Sequence, residues 1–249
     1  MDVALIWLQL AAAAAAIFAA AHYLAKAAGD ISVRTGLGRS FVGVVLLATA
    51  TSLPELGTGI SSVTFVGEPD LAAGDAFGSN LFNLLIIALM ELVWRRGPLL
   101  NAVDTTSVVV GAVSAGAIGL ATVAMVVHGA TDALAGWPVS PLSVALLVAF
   151  ALGMYPIYVH EKAQESAEDT DQGDGRANVA TLPRAALVYG VASLVVVGAS
   201  VALSLTGDRM ADIMGWKASF VGTQFLALST SLPELATSFA AIRLRLPEM

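Results

Sequence analysis

The sequence predicts an all-α, polytopic transmembrane bundle with inverted-topology repeats, with about seven spans. Three observations predict it. Of 249 residues, 57% are hydrophobic and 12% are charged, against a charged share of about 25% in soluble domains. The apolar residues form continuous runs that meet the need of about 20 residues per spanning helix. One stretch of 21 residues also occurs twice, in frames that cross the membrane in opposite directions.

The runs fall at 3–28, 39–65, 71–94, 105–128, 139–160, 184–206 and 217–242. The first carries six consecutive alanines, Ala11–Ala16, with Asp2 before it and Lys26 after it. Its length and flanks are those of a retained helix, not of a cleaved signal with a short apolar core and a basic start. The runs are continuous rather than alternating, which argues against an outer-membrane barrel. In lipid every backbone group must bond internally, so helices are the default. Trp7, Trp94, Trp137 and Trp216 all lie near predicted helix ends, where aromatic belts sit.

Loops after the odd-numbered spans carry Lys26, Arg34, Arg39, Arg95, Arg96, Lys162, Arg176, Arg184, Arg243 and Arg245; the other side carries Arg209 and Lys217. Positive charge gathers on the cytoplasmic side. The N-terminus is therefore expected outside and the polar 161–183 segment in the cytoplasm, with a prokaryotic cell membrane as the location. The organisation expected is a first half over 1–160 with spans one to five, a linker over 161–183, and a partial second half over 184–249 with spans six and seven.

The net charge of −7 and the lack of a basic stripe exclude nucleic acid as a partner. The absence of cysteine excludes disulfides and thiolate metal sites. His22, His128 and His160 are scattered and read as packing or interface residues. The partner expected from composition is the lipid bilayer.

The duplicated stretch is Ser40–Ile60 and Ser219–Phe239, offset by 179, with 13 of 21 positions identical and TSLPEL unchanged. The copies lie on spans two and seven, so they run in opposite directions. Inverted repeats of this kind place substrate sites near the bilayer midplane at interrupted helices. Each copy holds one acid deep in a span, Glu55 and Glu234. An intramembrane carboxylate costs several kcal/mol, and two in matching frames point to a shared cation. Thr51 and Ser52 stand four and three residues before Glu55; Thr230 and Ser231 repeat this before Glu234, and such spacing shares a helix face. Thr58 and Thr237 follow each acid by three. Pro54 and Pro233 each remove one N–H and conflict with the carbonyl four residues back, which predicts a break beside both acids. Calcium takes six to eight oxygen ligands, and carboxylates, hydroxyls and freed carbonyls are such ligands. On the third span, Asp75, Ser79 and Asn83 are four apart, and Gly74 with Gly78 make a small-xxx-small pair suited to close helix approach. Glu91, beside Trp94, reads as an interface residue.

TSLPEL on one helix followed by GDAFGSNLFN on the next resembles the first α-repeat of sodium/calcium exchangers, in the calcium/cation antiporter superfamily. Ser219–Phe239 resembles the start of the second. The likeness is strongest over 36–91 and 215–242. It implies ten helices in two inverted halves, with ions held between helices two, three, seven and eight. It implies Glu55 and Glu234 as the paired calcium acids, and Thr51, Ser52, Thr230 and Ser231 as hydroxyl or carbonyl ligands. It gives Ala48 and Ala227 as carbonyl donors to sodium, Ser79 and Asn83 as third-helix contributors, and the Gly78 carbonyl a place nearby. It calls for no cofactor, since calcium and sodium are the transported ions. Two features depart from the pattern. Asp75 stands where many members carry Asn. The sequence stops at Met249, so helices eight to ten have no counterpart; a truncated product, a second chain or protomer that supplies them, or a site rebuilt in an oligomer are the alternatives. The resemblance implies exchange of calcium for sodium by alternating access. Its rivals are proton/calcium or other divalent antiport, and a non-transporting binding or assembly protein. An enzyme is not expected, because the paired acids have no nucleophile near them.

Overall fold

A computed structural model of the chain describes residues 3–35, 41–94, 105–130, 140–168 and 180–244. Every regular element among these residues is helical: α1 (Val3–Thr35), α2 (Phe41–Ser61), α3 (Pro69–Val93), α4 (Thr105–Ala130), α5 (Pro141–Glu168), α6 (Leu182–Met214), α7 (Ala218–Val221), α8 (Ala227–Thr230) and α9 (Leu232–Leu244). α2 runs on into a π turn, Ser62–Val66, and a second π turn, Gly222–Leu226, joins α7 to α8. Each expected span has its helix, the seventh assembled from α7, α8 and α9. Among the described residues, four helices are long and apolar enough to cross a membrane: Val3–Ser32, Pro69–Val93, Val108–Val127 and Leu182–Met214. The chain is an integral membrane protein with an all-α transmembrane bundle. Arg39, Arg95, Arg96, Trp137, Arg176, Arg245 and residues 169–179 of the expected linker lie outside the described residues.

Two compact units form, one from residues 1–96 with 173–247 and one from 97–172. In the second, α4 and α5 meet where Gly153 lies against Val113. Val123, Val126, Leu147 and Leu152 of these helices are exposed, as suits lipid-facing spans.

In the first unit, α1 buries Ile6, Leu10, Ala13, Ile17, Ala20, Leu24 and Ala27. These alternate by four and three, which lays one stripe along a helix. The stripe packs on α6. Leu10 and Ile17 cluster with Leu203 and Met210; Ala20 and Leu24 cluster with Ala192 and Val196. One series rises as the other falls, so α1 and α6 are antiparallel. The alanines let the backbones approach, which lipid-embedded helices need because apolar burial does not drive their association.

The contacts of α2 and of the seventh span fix the sense of the repeat. Tyr189 donates its hydroxyl to the Leu46 carbonyl at 3.2 Å, Gly57 lies on Ser200, and Ser61 bonds Ser204 at 2.7 Å. Both numbers rise together, so α2 and α6 are parallel. α6 ends at Gly215, φ 66°, whose N–H bonds the Ala211 carbonyl, and the chain turns back into α7. The seventh span is therefore antiparallel to α2. A second route agrees. Gly74 meets Ser219, and Gly78 meets Thr223 and Ala227, so α3 and the seventh span are parallel. α2 precedes α3 in a hairpin turned at Gly67, φ 81°. The two TSLPEL copies cross in opposite directions, as the spacing predicts.

Three glycines make the α3 contact possible. A Cβ on Gly74 would strike the Ser219 carbonyl, one on Gly222 the Leu71 carbonyl, and one on Gly78 would lie 2.7 Å from the Thr223 backbone. A glycine at positive φ has a different role. L-residues pay about 1–2 kcal/mol in the left-handed region, so Gly215→Ala is expected to lower stability by about 1 kcal/mol. The thermal unfolding midpoint in detergent reads this out.

Candidate cation site

The two copies differ in how they accommodate proline. α2 continues through Pro54 without interruption. In the second copy the helix breaks at Ser231, φ −85° and ψ 2°, two residues before Pro233. The expected pair of breaks is therefore a single one. Membrane helices tolerate proline where neighbouring groups satisfy the freed carbonyl. α2 has α6 along its length, whereas the second copy carries a π turn just ahead of the motif.

Asp75 lies at the meeting point of both copies. It is buried, and it accepts from the Thr58 hydroxyl of α2 and from Thr230 of α8, the latter at 3.4 Å. The Thr58 hydroxyl also stands 3.0 Å from the carbonyls of Pro54 and Glu55. With one proton to donate, it serves the carboxylate best, because a charged acceptor makes the stronger bond. Ser79, also buried, lies 3.4 Å from Thr230. Glu55 is within electrostatic reach of both Glu234 and Asp75. The acid of α3 thus receives a hydroxyl from each copy, and the acids of the two copies lie within electrostatic reach of each other.

The electrostatic balance is one-sided. Among the described residues, no basic side chain acts on Glu55, Asp75 or Glu234. One carboxylate oxygen of Glu55, one of Glu234 and the hydroxyl of Ser231 are buried with no hydrogen-bond partner. Buried acceptors are nearly always satisfied, and buried charge is costly unless paired. A cation would supply what these oxygens lack. Among the described residues, no three His, Cys, Asp or Glu side chains are close enough to enclose a metal by themselves. The arrangement offers carboxylates supplemented by hydroxyl and carbonyl oxygens, a donor set for a hard cation.

The remaining expected residues divide. Thr51 is half-buried. Ser52 and Asn83 are exposed, outside the buried cluster, although Ser231, the counterpart of Ser52, is buried. Ala48 lies on α2 with its side chain outside the described residues. The Ala227 carbonyl is already engaged by the Ser231 N–H at 3.0 Å and the Thr230 hydroxyl at 3.2 Å. Thr58 is more central than its place in the sequence motif suggests; the signal was its position three residues after Glu55. The motifs do not point to the buried serines of α6, Ser200 and Ser204. Their i, i+4 spacing in an apolar span was the available sign.

The family model for the sodium/calcium exchanger protein matches residues 5–159 and 184–249. Among curated relatives, a protein of Alkalimonas amylolytica named as an antiporter, CaxA, is 36% identical over 84 residues, covering 34% of this chain and 25% of its own length. The inner membrane protein YrbG of Escherichia coli (strain K12) is 26% identical over 234 residues, covering 87% of this chain and 64% of its own length. The chain thus spans less than two-thirds of either relative. No solved structure matches it to the same standard.

Proposed function

This chain belongs to the sodium/calcium exchanger protein family, and we propose that it works as a secondary antiporter, exchanging calcium for sodium by alternating access. The observation that carries the reading is the convergence of Glu55 and Glu234, each from one copy of an inverted repeat and each with a buried, unpartnered carboxylate oxygen. Calcium and sodium compete for these oxygens. A site loaded with one ion must empty before it takes the other, and that exclusion couples the two fluxes. Thr51, Thr230, Ser231 and Ser79 supplement the acids, with backbone carbonyls of the TSLPEL segments. The Alkalimonas amylolytica relative, named as an antiporter, is of this class.

Asp75 favours a second reading, exchange of calcium for protons, because it adds a third acid to the cluster. The two are separated by reconstituting the chain into vesicles and applying sodium and pH gradients independently. Calcium uptake driven by an outward sodium gradient at uniform pH supports the first. Uptake that follows the pH gradient and ignores sodium selects the second. No uptake under either gradient sinks both. The orientation that goes with this function has the N-terminus outside and residues 161–183 in the cytoplasm, supported by ten basic residues on one side against two on the other.

A further inference from the structure

We propose that Ser204 of α6, with Ser61 of α2, positions the Thr58–Asp75 pair and so sets how tightly the site takes its cation; the inference rests on the antiport reading above. α6 contributes no carboxylate to the cluster, and its part is indirect. Ser204 is fully buried within an apolar span. Its hydroxyl lies 3.2 Å from the Thr58 carbonyl and 3.1 Å from the Ser200 carbonyl, and it accepts the Ser61 hydroxyl at 2.7 Å. Ser61 stands 3.1 Å from the same Thr58 carbonyl.

Thr58 therefore works on two sides. Its carbonyl accepts from Ser204, whose hydroxyl in turn accepts from Ser61, and its own hydroxyl is held against Asp75. A short chain of dependence follows. Asp75 shares its donors between the copies, Thr58 from the first and Thr230 from the second. If Thr58 loses its anchor, its hydroxyl shifts from Asp75, and Asp75 is left with the longer contact to Thr230. Ser204 thus acts on the cation through Thr58 and Asp75, without touching it.

The seam is specific to one copy. Gly57 brings α2 against α6: a Cβ there would lie 2.7 Å from the Ser200 Cβ. The matching position in the second copy is Ala236, which is exposed. The backbone approach at Gly57 is what lets serine hydroxyls of α6 reach a carbonyl of α2.

The test uses the full chain in vesicles, with initial calcium exchange measured against calcium concentration. Ser204→Ala is expected to raise the half-saturating calcium about fivefold, the worth of one net hydrogen bond, while the maximal rate per reconstituted protein is retained. Ser61→Ala is expected to move it the same way, and the double variant less than the product of the two, because Ser61 acts through Ser204. Ser200→Ala is the control. Ser200 is equally buried on the same face of α6, but its hydroxyl has no partner, so half-saturation is expected to stay at the wild-type value. If Ser204→Ala does not yield folded protein, Ser61→Ala carries the comparison. An unmoved half-saturation in Ser204→Ala or Ser61→Ala, or an equal shift in Ser200→Ala, overturns the proposal. Exchange that depends on Glu55 alongside such a result overturns this inference alone; a wild type with no exchange overturns the antiport reading and this inference with it.

Discussion

Glu55→Gln and Glu234→Gln are each expected to reduce calcium exchange by about a hundredfold or more. The substitution keeps shape and removes charge. Removing one partner of a buried charge pair costs about 3–5 kcal/mol, and each 1.4 kcal/mol is about tenfold in binding. No basic side chain among the described residues stands ready to offset the change. The sign of the selectivity change also follows. A carboxylate attracts a divalent ion twice as strongly as a monovalent one at equal distance, so calcium affinity falls further than sodium affinity. Radiocalcium exchange, with sodium competition measured in parallel, reads both. Exchange at the wild-type rate in either variant would remove that acid from the site.

Gly74→Val and Gly222→Val are expected to cost about 3 kcal/mol or more, the upper part of the range for overpacking. At both positions a side chain would run into backbone, the Ser219 carbonyl in one case and the Leu71 carbonyl in the other. Backbone cannot yield as a side chain tip does. Gly222→Val also presses on the N–H of Asp75, 2.9 Å from where the first carbon would lie, so it separates Asp75 from Thr230 and is expected to abolish exchange in whatever protein survives. Gly198→Ala on α6, with open space around it, is expected to be neutral or to stabilise by up to about 1 kcal/mol. Unfolding midpoints in detergent that rank Gly74→Val beside Gly198→Ala would contradict the close α3 contact.

The parts of the architecture that rest on local chemistry were legible in the sequence. Helix positions follow from apolar runs, and the opposed copies from the spacing of TSLPEL. The approach of Gly74 and Gly78 to a neighbour follows from their spacing. The parts that depend on what a helix packs against were not. α6 runs on to Met214 past the expected end near residue 206, because Gly207 fits against Leu226 instead of ending the helix. Pro54 and Pro233 have identical local sequence, yet only the second has a break beside it. The difference lies in the neighbours, and the motif does not contain them. Ser52 and Ser231 are a matched pair in sequence with opposite burial for the same reason. Of the acids, Glu55 and Glu234 were readable from duplication. The role of Asp75 as the point where both copies donate could be found only once α2 and α8 were seen on either side of it.

The extra length of α6 has a consequence for how the chain sits in its bilayer. Its 33 residues make a rod of about 50 Å, against a hydrocarbon thickness of about 30 Å. Such a rod must lean or overhang. Asp208, Arg209 and Asp212 occupy its last turns, so the overhang is at that end, among the lipid headgroups. Gly215 turns the chain back at that height. The ring stack of Trp216 on Phe225, with Trp7 and Phe220 edge-on to Phe225, lies at that same end of α6, and tryptophan rings favour the membrane–water boundary.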